Sequence, residues 1–185
     1  MTDPCNRDAS SLISVKEAIH KTHQNISPIT GIEDLSLRQS LDRVLAHDIY
    51  SPIDIPSDTN SSMDGYAISS EFINPIEPFE LNCCGTSWAG RPYTNRLEQG
   101  CCIRIFTGAV LPEGADTVVM QERTSCNGDM ISFPAGLKFF DNIRHRGEDI
   151  EQGQCLISAP KKMTAFDLGL LASAGVYNLK VKRKI

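Results

Sequence analysis

No run of apolar residues in this 185-residue sequence is long enough to cross a bilayer. The longest, from Leu168 to Tyr177, is far short of the roughly 20 residues a spanning helix needs, and glycines and a serine interrupt it. The N-terminal stretch Met1 to Ser11 is polar and lacks the apolar core of a secretory signal. These absences predict a soluble, cytoplasmic protein with no membrane partner. Positive charge is not in excess either. The 18 Lys and Arg are outnumbered by 23 Asp and Glu, leaving a net charge of −5, which removes the electrostatic reason to expect nucleic acid as the main partner. Gly-x-Ser-x-Gly, Walker, Gly-x-Gly-x-x-Gly and His-Glu-x-x-His patterns are all missing, so no nucleophile elbow, phosphate loop, dinucleotide fingerprint or zincin helix is indicated.

The seven cysteines, at 5, 83, 84, 101, 102, 126 and 155, form no Cys-x-x-Cys pair. Neither adjacent pair has the spacing that chelates a tetrahedral ion, and free, mostly buried thiols in a reducing compartment are expected. The four histidines show no chelating pattern, and His20 and His23 are expected to be solvated on a surface helix. What remains is an ordinary globular composition, 41% apolar and 22% charged, with room for one domain or two small ones.

A helix is predicted to start at Ser14, where Glu17 completes a capping box, with Val15, Ala18, Ile19, Thr22 and Ile26 on one face. Ser27-Pro28 and Gly31 end it, and a shorter helical pattern passes through Leu41, Val44 and Leu45. From Asp48 to Ile157 prolines interrupt short β-branched runs. Ile103–Phe106, Thr117–Met120 and Asp129–Ser132 are the clearest strands. Asn127-Gly128 between the last two signals a hairpin with positive φ at both turn positions. A second capping box, Thr164 with Asp167, opens a helix with an apolar face of Phe166, Leu170, Leu171 and Ala174 that stops at Gly175. Tyr177 to Lys182 alternates as a strand, and the basic run Lys180 to Lys184 is read as its solvated end.

Three polar, glycine-punctuated segments can carry chemistry. In Ser61 to Ala67, Met63 and Tyr66 can pack while Asp64 is held on a tight turn beside Gly65, a placement that suits Mg²⁺ or an oxyanion's counter-ion shell. The plain alternative is a turn whose aspartate binds its own backbone. In Arg104 to Asp116, Thr107-Gly108 at a strand end offers a hydroxyl and N–H groups as a modest oxyanion site, against the simpler reading of a strand followed by a turn. In Asn142 to Asp149, two guanidiniums and two carboxylates surround Gly147; they can grip phosphate or molybdate beside a divalent ion, or form a surface salt-bridged turn. Locally, the first two segments are explained more simply by structure than by function.

The segments gain specificity as a series. Asp54-Ile55-Pro56, Asn60-Ser61-Ser62-Met63-Asp64-Gly65-Tyr66-Ala67, Arg104-x-x-Thr107-Gly108-Ala109 with Pro112-x-Gly114-Ala115-Asp116 and Gln121-Glu122, and Asn142-Ile143-Arg144-x-x-Gly147-Glu148-Asp149 occur in this order. The series resembles the N-terminal region of the MoeA proteins and the E domain of gephyrin, the molybdopterin molybdenumtransferase family, from the Ser14 helix to the Val181 strand.

That resemblance implies an enzyme that inserts molybdate into adenylated molybdopterin and releases AMP, assisted by Mg²⁺. It implies an α+β fold in which residues 1–50 and 147–185 form a discontinuous helix-containing domain around an inserted β domain, 51–146. The family's functional positions map to Asp64, Thr107, Arg144 and Asp149. Asp64 and Asp149 would position metal or molybdate, Arg144 and Arg146 would meet the anionic cofactor, and Thr107 would be a polar contact. Family members continue into a pterin-binding domain and a small C-terminal β domain, so the chain is expected to hold one wall of the site. Its expected partner is a second copy, an intact homologue or a separate pterin-binding domain. The alternatives are a non-catalytic dimerisation or docking module, and an unrelated hydrolase using Asp64 and Asp149, which lacks a base or nucleophile. One departure is local: the family usually has an aromatic after the first motif's proline, where this chain has Pro56-Ser57-Asp58.

Overall fold

Residues 13–184 are described by a computed structural model, which is mainly β with two α-helices. In chain order the elements are α1 (Val15–Asn25), β1 (Ile32–Ser36), β2 (Ile49–Tyr50), β3 (Asn60–Ser61), β4 (Gly65–Ile68), β5 (Phe79–Ser87), β6 (Cys101–Ile105), β7 (Thr117–Met120), β8 (Ser125–Asn127), β9 (Met130–Phe133), β10 (Ile143–Arg144), β11 (Cys155–Ile157), α2 (Ala165–Ser173) and β12 (Asn178–Lys182). A six-stranded sheet runs β7-β4-β6-β5-β9-β8, and only its β5–β6 pair is parallel. Three short antiparallel ladders join β1 to β12, β2 to β11 and β3 to β10.

Strand alternation explains the cores. Ile68, Cys102, Val119, Ile131 and Phe133 fill one face of the large sheet, with the Phe79 and Phe133 rings stacked at 5.2 Å. Ala67, Ile103, Ile105 and Val118 fill the other. A third core gathers Leu45, Ile157, Met163, Leu171, Leu179 and Val181 from around β1, β11, α2 and β12. Arg43 crosses beside it, pairing with Glu33 at 2.6 Å and donating to the Lys182 carbonyl at 2.8 Å, so this largely buried guanidinium is satisfied on two sides.

Several expectations are corrected. No helix forms through Leu41, Val44 and Leu45. A single 3₁₀ turn, Leu37–Ser40, forms instead, Asp42 follows it at φ 60°, and Val44 and Leu45 then bridge to Lys162 and Val181. The hairpin at Asn127-Gly128 exists, but its arms are β8 and β9, while β7 lies at the opposite edge of the sheet. Gly128 alone of that pair has positive φ. In α1 the Ser14 hydroxyl accepts from Glu17 N at 3.2 Å, and no residue of the helix is buried. The full capping box at α2 does form, but Phe166 is 91% exposed. The buried stripe is Asp167, Leu171 and Ala174, because the Asp167 carboxylate turns inward to meet Thr164 and Lys161.

The cysteines are not all free thiols. Cys84 and Cys101 form a disulfide with Cα atoms 5.8 Å apart, since parallel pairing sets β5 and β6 side by side with a bulge at Cys84. Of the free ones, Cys102 is buried, Cys83 is half-buried, and Cys126 and Cys155 are exposed; Cys5 lies outside the described residues.

Candidate functional site

The turn between β3 and β4 puts Asp64 against the end of β6. One carboxylate oxygen, Oδ1, accepts from both the backbone N–H and the hydroxyl of Thr107, each at 2.8 Å. The Thr107 N–H, then its hydroxyl, and more weakly the Arg104 charge hold the Asp64 carboxyl below its ordinary range. Gly65 is the steric condition for this placement. It is buried between neighbouring strands, and a Cβ there would lie 2.0 Å from the Val119 carbonyl oxygen. Tyr66 packs edge-on to Phe133, as expected, whereas Met63 stays exposed.

The expected oxyanion site at Thr107-Gly108 is not available, because its donors are already engaged. Thr107 N donates to Asp64, Gly108 N to the Ser61 carbonyl at 2.8 Å, and Ala109 N to the Phe106 carbonyl at 2.9 Å. Thr107 is instead the residue that fixes the carboxylate.

The basic loop after β10 forms as a salt-bridged turn. Arg144 meets Asp149 at 2.5 Å and Glu148 at 3.8 Å, and these carboxylates raise its pKa, the Asp149 hydrogen bond most. Arg146 turns away to Asp54 at 2.6 Å. Asp54 also accepts from Gln152 N at 2.7 Å, and this bond, ahead of Arg146, lowers its pKa. Gly147, at φ 71°, donates to the Pro56 carbonyl, so the Pro56-Ser57-Asp58 segment is braced by the arginine loop.

Ser61 joins the three segments. Its N–H donates to the Ala109 carbonyl, its carbonyl accepts from Gly108, and it is the ladder partner of Ile143. Ser62 N donates to the Asn142 carbonyl. Thus Asp64 with Thr107, and Arg144 with Asp149, form two clamps on one backbone framework. Asp64 and Asp149 are not hydrogen-bonded to a common group. Among the described residues no three His, Cys, Asp or Glu side chains gather closely enough to hold a metal ion.

This segment order on this framework matches the MoeA N-terminal region (domain I and II) family across residues 13–175. The chain belongs to that family. The molybdopterin molybdenumtransferase of Haemophilus influenzae is 35% identical over 175 residues, 94% of this chain and 43% of that protein. Gephyrin of Dictyostelium discoideum is 33% identical over 183 residues, 90% of this chain and 25% of that protein. The solved molybdopterin biosynthesis MoeA protein of Pyrococcus horikoshii superimposes with a TM-score of 0.83 at 31% identity, covering 91% of this chain and 45% of that one. The chain therefore spans less than half the length of these relatives. No helix among the described residues is long and apolar enough to cross a membrane.

Beyond the residues singled out in the sequence, the MoeA-type framework exposes an aromatic-cation row beside Asp64. The Arg104 guanidinium lies 5.1 Å from the Tyr66 ring centre and 4.8 Å from that of Phe106, and Trp88 stacks on Phe106 at 4.2 Å and 11°. Arg104 also donates to the Gly65 carbonyl at 3.0 Å and to Gln121. Arg104 and Phe106 are visible in the sequence as a motif next to Thr107. Trp88 has no such signal, since it reaches Phe106 only through the parallel β5–β6 register.

Proposed function

We propose that this chain is the N-terminal part of a molybdenum cofactor biosynthesis enzyme, contributing one wall of a site where molybdate enters adenylated molybdopterin and AMP leaves. The observation that carries this reading is the pairing of two clamps, Asp64–Thr107 and Arg144–Asp149, on one backbone framework in a member of the MoeA family. Asp64 is held ionised at neutral pH, with Oδ1 facing Thr107 and Oδ2 left for a hydrated cation. Asp149 likewise leaves Oδ2 beyond its Arg144 bond. Mg²⁺ characteristically keeps several waters and takes only one or two carboxylates together with substrate phosphates, which suits two sparse carboxylates better than an all-protein cage. When bound it would neutralise phosphate charge at the departing AMP. Arg144 brings a guanidinium to that anion by exchanging Asp149 for substrate, and Arg146, now turned to Asp54, would join it on leaving that carboxylate. Residues 1–50 with 147–185, and 51–146, are the two domains of this reading, and the protein works in the cytoplasm. The other wall comes from a pterin-binding domain, in a second copy or an intact homologue.

A second reading, a non-catalytic dimerisation or docking module, is favoured by one observation. Among the described residues nothing covers the apolar stripe of α1, with Val15 78% and Ile19 54% exposed. The two are separated by mixing the chain with a separately produced pterin-binding domain and measuring AMP release from adenylated molybdopterin in molybdate and Mg²⁺. The enzyme reading expects release that Asp64→Ala and Asp149→Ala each abolish. Release indifferent to both substitutions would remove these residues from the site, and no release with any partner domain would favour the docking module.

A further inference from the structure

Trp88 is the single tryptophan of the chain, and half of its surface is exposed although one ring face is covered by Phe106. An indole stacked on one side and open on the other is a surface on which a second flat ring can lie. Its support is unusually well braced. Phe106 lies against both Trp88, at 4.2 Å, and the Arg104 guanidinium, at 4.8 Å, and Arg104 is itself held by the Gly65 carbonyl and Gln121. The row continues to Tyr66. The residue after Phe106 is Thr107, which grips Asp64, so the platform and the Asp64 clamp are built on consecutive residues of one strand end.

A cation stands beside the platform. Trp88 and Arg91 exchange both backbone hydrogen bonds at 3.0 Å around Ala89-Gly90, with Gly90 at φ 78°. Residues paired in this way project their side chains to the same face. Arg91 is exposed and makes no ion pair among the described residues, unlike Arg144 and Arg146. The tip of this turn lies on the site side, where a Cβ on Gly108 would be 3.9 Å from that of Ala89. A cavity of about 640 Å³ opens here, lined by Thr86, Trp88, Arg91 and Tyr93 among others.

We infer that Trp88 and Arg91 form a binding site for a planar nitrogen heterocycle carrying a phosphate, the ring on the free indole face and the phosphate on Arg91. Resting on the substrate reading above, this site would orient one end of the substrate toward Asp64. A nucleotide and a pterin phosphate share that chemistry, and the test separates them. Because Trp88 is the only tryptophan, its emission under excitation near 295 nm reports directly on its free face. AMP, ribose 5-phosphate, adenosine and a pterin phosphate are each titrated into the intact chain, up to about 10 mM. Saturable quenching by AMP but not by ribose 5-phosphate supports the site with a nucleotide ring; quenching by the pterin phosphate alone supports it with the pterin ring. Stacking and the charge contact each set a measurable factor by calorimetry. Trp88→Ala should weaken binding about tenfold or more, Trp88→Phe should restore most of it, and Arg91→Ala should weaken the phosphate-bearing ligands but not adenosine. Quenching that ribose 5-phosphate reproduces, affinity unchanged in Trp88→Ala, or no quenching by any ring would overturn the proposal. Its fate is separable from that of the function. AMP release that needs Asp64 but ignores Trp88 would remove the platform alone, whereas Trp88-dependent ring binding without AMP release would remove the activity alone.

Discussion

Replacing Gly65 with alanine should be among the costliest single-methyl additions in this chain. The new Cβ would stand 2.0 Å from the Val119 carbonyl oxygen, 2.8 Å from its carbon and 3.1 Å from the Met120 Cα. These are backbone atoms of β7, the ladder partner of β4, so no side chain can swing aside to relieve the clash. Overpacking of this kind costs about 1–3 kcal/mol, and a main-chain obstacle inside a sheet puts the expectation at about 3 kcal/mol. For a chain of this size each kcal/mol moves the thermal midpoint by about 2–4 °C, which gives a drop of about 6–12 °C. Gly169→Ala is the matched control. Gly169 is exposed within α2, has no positive φ and would meet nothing within 4 Å. It should gain up to about 1 kcal/mol of helix propensity. Thermal and urea unfolding followed by circular dichroism would read both. Gly65→Ala should also loosen the site, because the Asp64 carbonyl accepts from Gln121 N at 3.1 Å and a displaced β4 pulls the carboxylate off Thr107. A Gly65→Ala midpoint within a degree of the unaltered chain, or an equal loss in Gly169→Ala, would mean that the close approach of β7 does not require a glycine at 65.

Two further outcomes follow from individual carboxylates. Thr107→Val removes one of the two donors to Asp64 Oδ1 while keeping the backbone one, so the Asp64 carboxyl should titrate higher, as followed by NMR; an unchanged titration would mean that the hydroxyl does not hold it. Asp167 titrates at about 2, below its ordinary 3.8, because Lys161 donates to it at 2.6 Å and the Thr164 hydroxyl and N–H at 2.7 and 2.9 Å. A carboxyl depressed on folding contributes stability in full above its unfolded pKa and loses it as pH falls through the folded one. Unfolding midpoints should therefore fall between pH 4 and pH 2, and the fall should be shallower in Asp167→Asn.

Local chemistry is legible in the sequence where it depends on neighbours along the chain. The Thr164 capping box, the Thr117–Met120 strand and the Gly175 stop form as their spacing suggests, and at Ser14 the serine half of the expected box forms. So does the turn at Gly128, although it joins a different pair of strands from the one expected, because a turn signal names its position and not the partner beyond it. Non-local pairing is illegible. Nothing in the residue pattern says that β5 lies parallel to β6, and that single register decides the Cys84–Cys101 bond, the Trp88–Phe106 stack and hence the row beside Asp64. Thr107 stands out in the sequence, but as an anion contact rather than as the holder of a carboxylate. An N–H at a strand end looks free until its acceptor, Asp64, arrives from 43 residues away. The arginine loop is equally ambiguous, since Arg146 takes its counter-charge from Asp54 rather than from its own segment.

The ladder between β1 and β12 also has a meaning in time. Ile32 pairs with Lys182, and Ser36 with Asn178, so the first strand leaves the ribosome long before the strand that completes it. At ordinary elongation rates that interval is on the order of ten seconds, ample for the sheet from β4 to β9 to fold first. A strand without its ladder partner is an edge of the kind that pairs with other chains. Its sequence, Ile32-Glu33-Asp34-Leu35-Ser36, sets two adjacent carboxylates in the middle of the strand, and one of them later receives Arg43. Glu33 and Asp34 thus give the waiting strand the adjacent like charges that oppose edge-to-edge pairing, and Glu33 becomes the anchor for Arg43 once the chain closes.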